Sequence, residues 1–408
     1  MKIVIFGWVE FPYISPAASR LRILSKGWIS EGAKVHLITT AELQIVSEFD
    51  KTNDSVLSSP NFTFVSSYNK SIDFPFLSFR LNRLIKHIIS IYNSWKMMRS
   101  LLKNNQCDII YFWGWSAMGC YRVMKMAQRF NISYVFDICE WFPVNNFKFG
   151  LLNPMYWDDY LGRKMPDKNC SGVIAITNLI AQKYYNGHFP VQVVPAINDF
   201  SCSNSLEEAE SILVFEKSSL KIIYSGFCKY GDGVEYMFEA IEKVKLNGVP
   251  IELIILGSDG KSGASLNFSN YCKNNSVLKN IVEFRGRIPE DIYFKTLCSA
   301  DILILPRRFC ETNLAAFPTR LPEFLTTGRP VITTNVPDVP DYIENNIHAK
   351  IVTANNSASI EQAIMELWSN PQLRDTIGHS GKLRGEKVFD YKSYTPQMYQ
   401  LFQRAIAK

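Results

Sequence analysis

Short apolar runs alternate with longer amphipathic segments along the first half of the chain. The runs are rich in Val, Ile and Phe, as in buried parallel strands, and the segments between them have the period of helices. The predicted strands are residues 2–6, 35–39, 108–113, 133–138, 174–177 and 191–195. This pattern predicts an α/β fold built on a parallel sheet. Residues 50–78, which are polar and rich in Ser and Asn, are interpreted as excursions from that sheet.

The same alternation returns in the second half, after a polar stretch at residues 201–218 that lacks any sustained apolar pattern. The predicted strands there are residues 221–224, 251–256, 281–287, 301–306 and 331–334. A chain of 408 residues is long enough for two ordinary domains, and the polar stretch is typical of a linker. We therefore predict one domain over residues 1–198 and a second over residues 199–391.

One long helix is predicted from Ser78 to Lys103. Its spacing places a set of apolar residues on a face that we expect to be the core face: Leu81, Leu84, Ile85, Ile88, Tyr92 and Trp95. The residues expected to face solvent are Arg83, His87, Ser90 and Ser94.

This helix also carries the basic excess of the chain. No acidic residue lies between Phe74 and Cys107, whereas six basic residues do: Arg80, Arg83, Lys86, Lys96, Arg99 and Lys103. These six equal the net charge of +6, so the predicted partner is local and anionic rather than a nucleic acid. Two interpretations stay open: a core helix with a solvated basic face, or a surface helix, over residues 80–103, that meets an anionic membrane or a lipid diphosphate.

The composition is that of a globular protein, with 47% hydrophobic and 20% charged residues and no apolar run long enough to span a bilayer. The apolar run at the N-terminus is too short for a signal peptide and reads better as a strand. The nine cysteines include no C-x-x-C pair, which indicates reduced thiols. We expect a cytoplasmic protein, peripheral at the inner face of the membrane if the basic helix binds lipid.

Candidate chemistry centres on residues 316–335, AFPTRLPEFLTTGRPVITTN. The proline and glycine positions predict a short helix that starts near Thr319 and ends at Gly328, before a β-branched strand. Arg320 at the helix start and Glu323 one turn later suit a nucleotide diphosphate and its ribose hydroxyls. The alternative is an ordinary helix–strand unit with a solvated Glu323.

Further candidates lie where predicted strands end, because open α/β sheets bind ligands at that edge. Gly7 ends the first strand, and Asp137 and Glu140 lie at the end of another. Arg20, in the first turn of the first helix, fits either an anionic ligand or a solvated position. In the second half, the loop from Gly226 to Gly233 contains three glycines between a strand and a helix, which suits a close approach to phosphate.

The segment FPTRLPEFLTTGRPVIT resembles P-x-K-L-x-E-Y-L-A-x-G-K-P-V-I of the retaining nucleotide-sugar glycosyltransferases of family 4. VVPAINDF, VEFRGR and DILILP, in that order, resemble further segments of the family. The resemblance implies the GT-B architecture: two Rossmann-like domains that face each other across a cleft, with a terminal helix, residues 392–408, that returns to the first domain. It also implies that Glu323 contacts the ribose.

Several residue roles follow from this resemblance. The implied donor-binding residues are Gly226, Lys229, Arg287, Thr319, Arg320, Leu321 and Glu323. Gly7 and Arg20 would lie on the acceptor side, and the catalytic candidates are Asp137, Glu140 and Arg320. The implied function is retaining transfer of a hexosyl-type sugar from a nucleotide-diphosphate donor to a saccharide or lipid-linked acceptor, in surface polysaccharide or glycolipid assembly.

The chain also departs from the family pattern. Ala315 stands where the family often has a second Glu, Phe227 and Asp232 replace basic or Lys-Gly positions of the glycine loop, and no histidine follows Asp137. Lys229, Arg307, Arg308 or Arg320 would have to supply the cation for the diphosphate. The chain has no D-x-D pair, so we expect no metal ion. We also expect no cofactor, because the nucleotide-diphosphate sugar would be a substrate. Alternatives are a non-catalytic nucleotide-binding or partner subunit, and another enzyme of the same architecture such as a sugar-nucleotide epimerase or a phosphorylase.

Overall fold

The computed structural model describes residues 1–12, 15–43, 54–69, 78–114, 116–185, 187–201, 219–261 and 263–407. The chain forms two compact units. Unit 1 comprises Met1–Ile197 and Tyr391–Lys408, and unit 2 comprises Asn198–Asp390. The domain ends predicted from the sequence, 198 and 391, each lie one residue from these boundaries.

Each unit contains one sheet in which every pair of neighbouring strands is parallel, so the prediction of an α/β fold is confirmed. The sheet of unit 1 has the order β3-β2-β1-β4-β5-β6-β7, and that of unit 2 has the order β10-β9-β8-β11-β12-β13. The strands are β1 (Lys2–Gly7), β2 (Lys34–Thr39), β3 (Phe62–Ser66), β4 (Ile109–Trp113), β5 (Ser133–Ile138), β6 (Gly172–Ala175), β7 (Val191–Val193), β8 (Leu220–Ser225), β9 (Ile251–Leu256), β10 (Val282–Gly286), β11 (Ile302–Leu305), β12 (Val331–Thr334) and β13 (Lys350–Val352).

Helices connect the strands, as the right-handed crossovers of parallel sheets require. In the described residues they are α1 (Pro16–Ser30), α2 (Phe79–Lys103), α3 (Ala117–Arg129), α4 (Pro154–Gly162), α5 (Asn178–Gln182), α6 (Val234–Leu246), α7 (Gly263–Asn274), α8 (Glu290–Cys298), α9 (Glu311–Leu314), α10 (Arg320–Thr326), α11 (Val339–Tyr342), α12 (Ser357–Ser369), α13 (Pro371–Phe389) and α14 (Thr395–Ile406). Short 3₁₀ turns occur at Val144–Asn146, Gly150–Leu152, Tyr230–Asp232, Leu278–Asn280 and Tyr391–Ser393.

Large aromatic side chains fill the core of each unit. In unit 1, the ring of Trp28 on α1 lies 4.9 Å from that of Tyr111 and 5.4 Å from that of Phe402 on α14. The C-terminal helix α14 is therefore part of the core of unit 1. In unit 2, Phe238 on α6 lies 5.8 Å from Phe268 on α7.

The interpretation of residues 50–78 as excursions from the sheet is wrong in part, because β3 pairs in parallel with β2. Residues 44–53 and 70–77 lie outside the described residues. The strand escaped recognition because it lies at the edge of the sheet and only one of its five residues, Phe62, is buried. Phe62 and Phe64 pack on Phe11, at 5.8 and 5.1 Å between ring centres, within a polar surrounding sequence.

The predicted orientation of α2 is also wrong. Ser90 and Ser94, expected in solvent, are fully buried, whereas Leu84 and Ile88, expected in the core, are 52% and 49% exposed. The serine hydroxyls are satisfied inside the unit: Ser90 donates to the carbonyl of Thr40 at 2.8 Å and lies 2.8 Å from Ser67 Oγ. These bonds connect α2 to the segments that follow β2 and β3, so the core face of α2 is partly polar.

Candidate functional site

The carboxyl ends of the strands of unit 2 carry a glycine loop that directly follows β8. Gly226 donates its N–H to the carbonyl of Leu256 on β9, which holds the start of the loop against the sheet. Gly233 ends the loop at φ 70° and abuts the carbonyl of Pro306, where any Cβ would overlap that oxygen. The loop therefore lies close to the segment after β11, as the glycine spacing suggested.

Four polar side chains meet at this edge and form what we call the Glu323 cluster: Ser225, Tyr293, Arg320 and Glu323. Arg320 Nη1 donates to Glu323 Oε2 at 2.6 Å and to the hydroxyl of Tyr293 at 3.0 Å. The same hydroxyl lies 3.3 Å from Glu323 Oε2 and 2.8 Å from Ser225 Oγ. The cluster thus joins the end of β8 to α8 and α10.

The cluster is only partly shielded from solvent. The side chains of Arg320 and Glu323 are 36% and 24% exposed. Burial alone would lower the pKa of Arg320, but the charge and the hydrogen bond of Glu323, together with the nearby Tyr293, outweigh it and hold that pKa above its usual value. Burial and the nearby Glu323 carboxylate raise the pKa of the Tyr293 hydroxyl, so it stays protonated and can donate. Arg320 is therefore a permanent cation whose Nη1 alone carries its bonds to the described residues.

The sequence did not predict two members of this cluster, Ser225 and Tyr293. Of these, Tyr293 is the one that reaches the cluster from a helix. It lies in the second turn of α8, between the predicted strands at 281–287 and 301–306. A tyrosine in an amphipathic helix is most often a packing residue, so the only available signal was its position near a strand end. The guanidinium of Arg320 also lies over the ring of Tyr293, 5.4 Å from the ring centre. This contact joins two helices, so the sequence alone does not reveal it.

The other cations of this edge differ in how they are held. Arg307 Nη1 lies 3.7 Å from Asp232 Oδ1, and its Nη2 donates to Asn313 Oδ1 at 2.6 Å. Arg308 Nη1 lies 3.4 Å from a carboxylate oxygen of Glu235. Arg307 therefore braces the glycine loop, and Arg308 contacts the first turn of α6 that follows it.

Lys229 is exposed, and its Nζ makes no hydrogen bond or ion pair with the described residues. Burial raises the pKa of Asp232, while the charges of Lys229 and Arg307 oppose that rise. The acidic residue in this loop is thus compensated locally by two cations. Lys229 and Arg320 therefore keep donors that a ligand can meet.

Three of the predicted donor-binding residues lie outside both the cluster and the glycine loop. Thr319 is exposed, and its hydroxyl caps no N–H of α10, which has only seven residues and so a weak terminal dipole. Leu321 does not fit a ligand contact, because its side chain is fully buried and its N–H donates to the carbonyl of Pro318 at 3.0 Å. Arg287 is exposed just beyond β10, two strands away from β8.

In unit 1, Arg20 and Asp137 form a buried ion pair, with Arg20 Nε 3.0 Å from Asp137 Oδ2 and side-chain exposures of 6% and 0%. Arg20 also donates to the carbonyls of Pro195 at 2.6 Å and Val194 at 3.1 Å. The Tyr111 hydroxyl donates to the same carboxylate at 2.5 Å. Burial alone would lower the pKa of Arg20, but Asp137 raises it above its usual value.

This geometry corrects the roles expected for both residues. A carboxylate that is fully buried and bonded to Arg20 and Tyr111 is not presented to an acceptor, and a guanidinium with three protein partners is not a ligand-binding cation. Both residues instead connect α1 and β5 to the chain that follows β7. Their role is to hold this edge of the sheet in place.

Glu140 and Gly7 also lie at the carboxyl edge of the first sheet. Glu140 is exposed two residues beyond β5, so its position fits a carboxylate that faces a ligand. Gly7 ends β1, and a Cβ there would overlap the carbonyl oxygen of Trp113 on β4. A structural need therefore accounts for this glycine without an acceptor.

Among the described residues, no group of three or more His, Cys, Asp and Glu side chains could hold a metal ion. In the same part of the chain, no helix is long and apolar enough to cross a bilayer.

A family match covers the part of the chain that holds this site. Residues 219–370 match the family described as Glycosyl transferases group 1. This segment contains the glycine loop and every member of the Glu323 cluster.

Two curated relatives are glycosyltransferases of bacteria. The capsular polysaccharide biosynthesis glycosyltransferase CapM of Staphylococcus aureus is 23% identical over 252 residues, which is 57% of this chain and 62% of that protein. The D-rhamnosyltransferase WbpZ of Pseudomonas aeruginosa is 24% identical over 170 residues, 41% of each chain. The chain thus spans less than two thirds of the length of either relative.

The similarity of structure extends over the whole chain. The crystal structure of Anabaena HepE in complex with UDP and glucose has a TM-score of 0.71, with 13% identity, and the match covers 99% of this chain and 100% of that one. At this identity the likeness concerns the fold alone. It confirms the GT-B fold class that the resemblance implied.

Proposed function

We propose that this protein is a retaining glycosyltransferase that moves a hexosyl-type sugar from a nucleotide-diphosphate donor to a saccharide or lipid-linked acceptor. The observation that carries the proposal is the partly exposed Glu323 cluster beside the glycine loop, inside the segment that matches the glycosyltransferase family. Retention and the donor class rest on the resemblance of residues 317–333 to family 4.

The cluster contains one carboxylate, that of Glu323, which can bind the two hydroxyls of a ribose. Glu323 Oε2 takes the bonds from Arg320 and Tyr293, and Oε1 has no partner among the described residues. An ionised carboxylate held this way can accept hydrogen bonds from the ribose hydroxyls of a nucleotide. The side-chain conformation is fixed before the ligand arrives, so little entropy is lost on binding.

Charge on the departing diphosphate is the main electrostatic demand of the reaction. Arg320 presents the rest of its guanidinium, and Lys229 presents an ammonium group from the glycine loop. We assign these two residues to the diphosphate, and Glu140 to the acceptor side. Gly226 allows the backbone to approach the phosphates, while Arg287 and Thr319 remain predicted donor-side residues at the same edge.

The relatives suggest a biological setting for the reaction. CapM is named for capsular polysaccharide biosynthesis and WbpZ for rhamnosyl transfer, and HepE was crystallised with UDP and glucose. We therefore propose a role in surface polysaccharide or glycolipid assembly on the cytoplasmic side of the membrane. We further propose that no metal ion and no cofactor takes part, since two cations would neutralise the diphosphate.

A second candidate is a subunit that binds a nucleotide without transferring a sugar. Two observations favour it: Asp232 of the glycine loop engages Arg307, and Ala315, after α9, stands where an acid is expected for the donor sugar. A sugar-nucleotide epimerase on the same fold is the enzymatic alternative, and it would convert the donor without any acceptor.

Thermal-shift measurements with UDP, GDP, ADP and their sugars test the proposal, because a ligand that binds only the folded state raises the unfolding temperature. We expect one base to stabilise the protein. The matching sugar nucleotide should then be consumed only with an acceptor, at a rate that EDTA leaves unchanged. Binding without turnover would favour the subunit, conversion without acceptor the epimerase, and a loss of rate in EDTA restored by Mn²⁺ would contradict the metal-free mechanism.

A further inference from the structure

Unit 1 exposes an apolar stripe on α2 that its sequence alone placed in the core. Leu81, Leu84, Ile88 and Tyr92 are between 43% and 52% exposed and recur every three or four residues, so they lie along one face of the helix. An exposed run of large apolar side chains on one helix marks an interaction surface rather than an ordinary solvated face.

The stripe continues onto neighbouring elements. Helix α3 packs against both α2 and α4, and Trp95 Nε1 on α2 donates to the carbonyl of Gly119 on α3 at 3.0 Å. Asp158 on α4 accepts from the N–H of Met118 at 2.7 Å and is near enough to His87 on α2 to oppose the lowering of its pKa by burial. The three helices therefore meet at one seam.

Each of the three helices has exposed apolar residues beside this seam. Leu84 and Ile88 lie one turn apart beside His87 on α2, Met118 is itself 51% exposed, and Met155 and Leu161 lie three residues before and after Asp158 on α4. We call the surface formed by residues 78–103, 117–129 and 144–164 the basic platform. The segment just before α4 adds its most exposed apolar side chains, those of Phe149 and Leu152.

The charge of the basic platform is strongly positive. Its three segments contain 12 of the 44 Lys and Arg residues but only 2 of the 38 Asp and Glu residues, a net charge of +10. The rest of the chain is consequently at −4. A partner for this surface must be anionic and must also accept apolar side chains.

Basic and aromatic groups are paired on the platform. Lys96 Nζ lies 4.5 Å from the ring centre of Tyr92, and Lys148 and Lys164 lie 5.2 and 5.7 Å from the rings of Phe149 and Tyr160. Each of these lysine–aromatic pairs combines an apolar ring with a charged ammonium group a few ångströms away. This suits an interface where a hydrocarbon layer meets anionic headgroups.

We propose that the basic platform docks this protein on the surface of an anionic lipid bilayer, with the apolar stripe of α2 and the Leu151–Leu161 segment in the headgroup region. Both components are on the surface: the charge that attracts the protein to anionic lipid, and apolar side chains that enter the interface. An acidic protein partner would also match the charge, and the experiment below separates the two. Docking requires no sugar donor, so it can fail or succeed independently of the transfer reaction.

Sedimentation with vesicles tests the docking directly. The unmodified full chain should bind vesicles of phosphatidylglycerol and phosphatidylcholine at low ionic strength, and should not bind vesicles of phosphatidylcholine alone. Reversing two exposed charges, Arg83→Glu with Lys164→Glu, should lower the partition coefficient by at least about tenfold, because each basic residue near an anionic surface contributes about a fivefold factor. Leu84→Gln with Leu161→Gln should lower binding as well, and should leave the salt dependence unchanged.

Matched variants in unit 2 serve as controls. Lys243→Glu with Lys273→Glu reverses two exposed charges, and Leu246→Gln with Leu383→Gln replaces two exposed leucines, all outside the basic platform. These should bind vesicles as the unmodified protein does. The proposal is overturned if the unmodified protein does not bind anionic vesicles, or if platform and control variants lose binding equally. It is also overturned if the platform variants only dissociate an oligomer, which would make this face a contact between copies of the chain.

Discussion

Each of the two sheets has an Arg–carboxylate pair at its carboxyl edge. The two pairs have the same chemical groups but differ in burial and in the number of their protein partners. Arg20 and Asp137 in unit 1 are 3.0 Å apart with side-chain exposures of 6% and 0%. Arg320 and Glu323 in unit 2 are 2.6 Å apart with exposures of 36% and 24%. The first pair is saturated by protein partners, whereas the second keeps a carboxylate oxygen and much of a guanidinium for a ligand.

The comparison shows that the position of a charged residue at a strand end does not decide its role. Isolated charges are costly to bury, so the buried pair must be satisfied by Tyr111 and by backbone carbonyls. The exposed pair remains solvated and costs little to keep, since surface pairs contribute little to stability. We infer that unit 1 uses its pair for structure and unit 2 uses its pair for binding.

The largest effect is expected from breaking the buried pair. Asp137→Ala leaves the Arg20 guanidinium uncompensated in the core and should lower the free energy of unfolding of unit 1 by about 3–5 kcal/mol. Denaturant unfolding followed by tryptophan fluorescence measures this, because seven of the eight tryptophans belong to unit 1.

A double variant sharpens the result. Arg20→Met with Asp137→Leu removes both charges and should recover part of the lost stability, although the carbonyls of Val194 and Pro195 lose their donor. A stable Asp137→Ala protein that has lost only turnover would instead make Asp137 a catalytic residue, as the sequence had suggested.

Much of the fold was predictable because parallel strands are short apolar runs that sequence patterns reveal. The exceptions have physical causes. The edge strand β3 is short and only partly buried, and it contains Thr63 and Ser66 as well as apolar residues. Helix α2 has two faces that could each pack against the core. Its core face includes Ser90 and Ser94 beside Ile91, Met98 and Leu102. Serines that bond inside the unit cannot be distinguished from solvated ones by sequence.

The candidate site was predictable only where one short segment carries it. Arg320 and Glu323 are three residues apart, so a motif contains both. Tyr293, by contrast, reaches Glu323 from a different helix, and Asp137 finds Arg20 across 117 residues of chain. Contacts over such separations depend on the order of the strands, which the sequence analysis did not resolve.

The second prediction concerns the partly exposed pair of Arg320 and Glu323. Glu323→Gln preserves the shape of the side chain and removes its charge, so affinity for the nucleotide identified by thermal shift should fall by roughly 1.5–3 kcal/mol. The free energy of unfolding should change by less than about 1 kcal/mol, since the pair is partly exposed. Titration calorimetry measures the affinity.

A matched control uses another ion pair of unit 2. Glu283 Oε1 lies 2.6 Å from Arg285 Nε on β10, and both side chains are exposed. Glu283→Gln should leave nucleotide affinity unchanged. If Glu323→Gln binds nucleotide as the unmodified protein does, the assignment of Glu323 to the donor is wrong.

The smallest effect is expected from Tyr293→Phe. This variant tests whether Arg320 and Glu323 are held in place before a donor binds. The variant removes one hydroxyl that contacts Ser225, Arg320 and Glu323, and should weaken nucleotide binding by about 1 kcal/mol, the net value of a typical hydrogen bond. Tyr271→Phe, in an exposed position of the same unit, is the control.

A double variant separates two roles of Tyr293. If Tyr293 acts only by orienting the carboxylate, its removal in the Glu323→Gln background should cost little more affinity, because the effects of residues in one hydrogen-bonded network are not additive. Additive losses would mean that the tyrosine contacts the donor itself, and an unchanged single variant would mean that Arg320 alone positions Glu323.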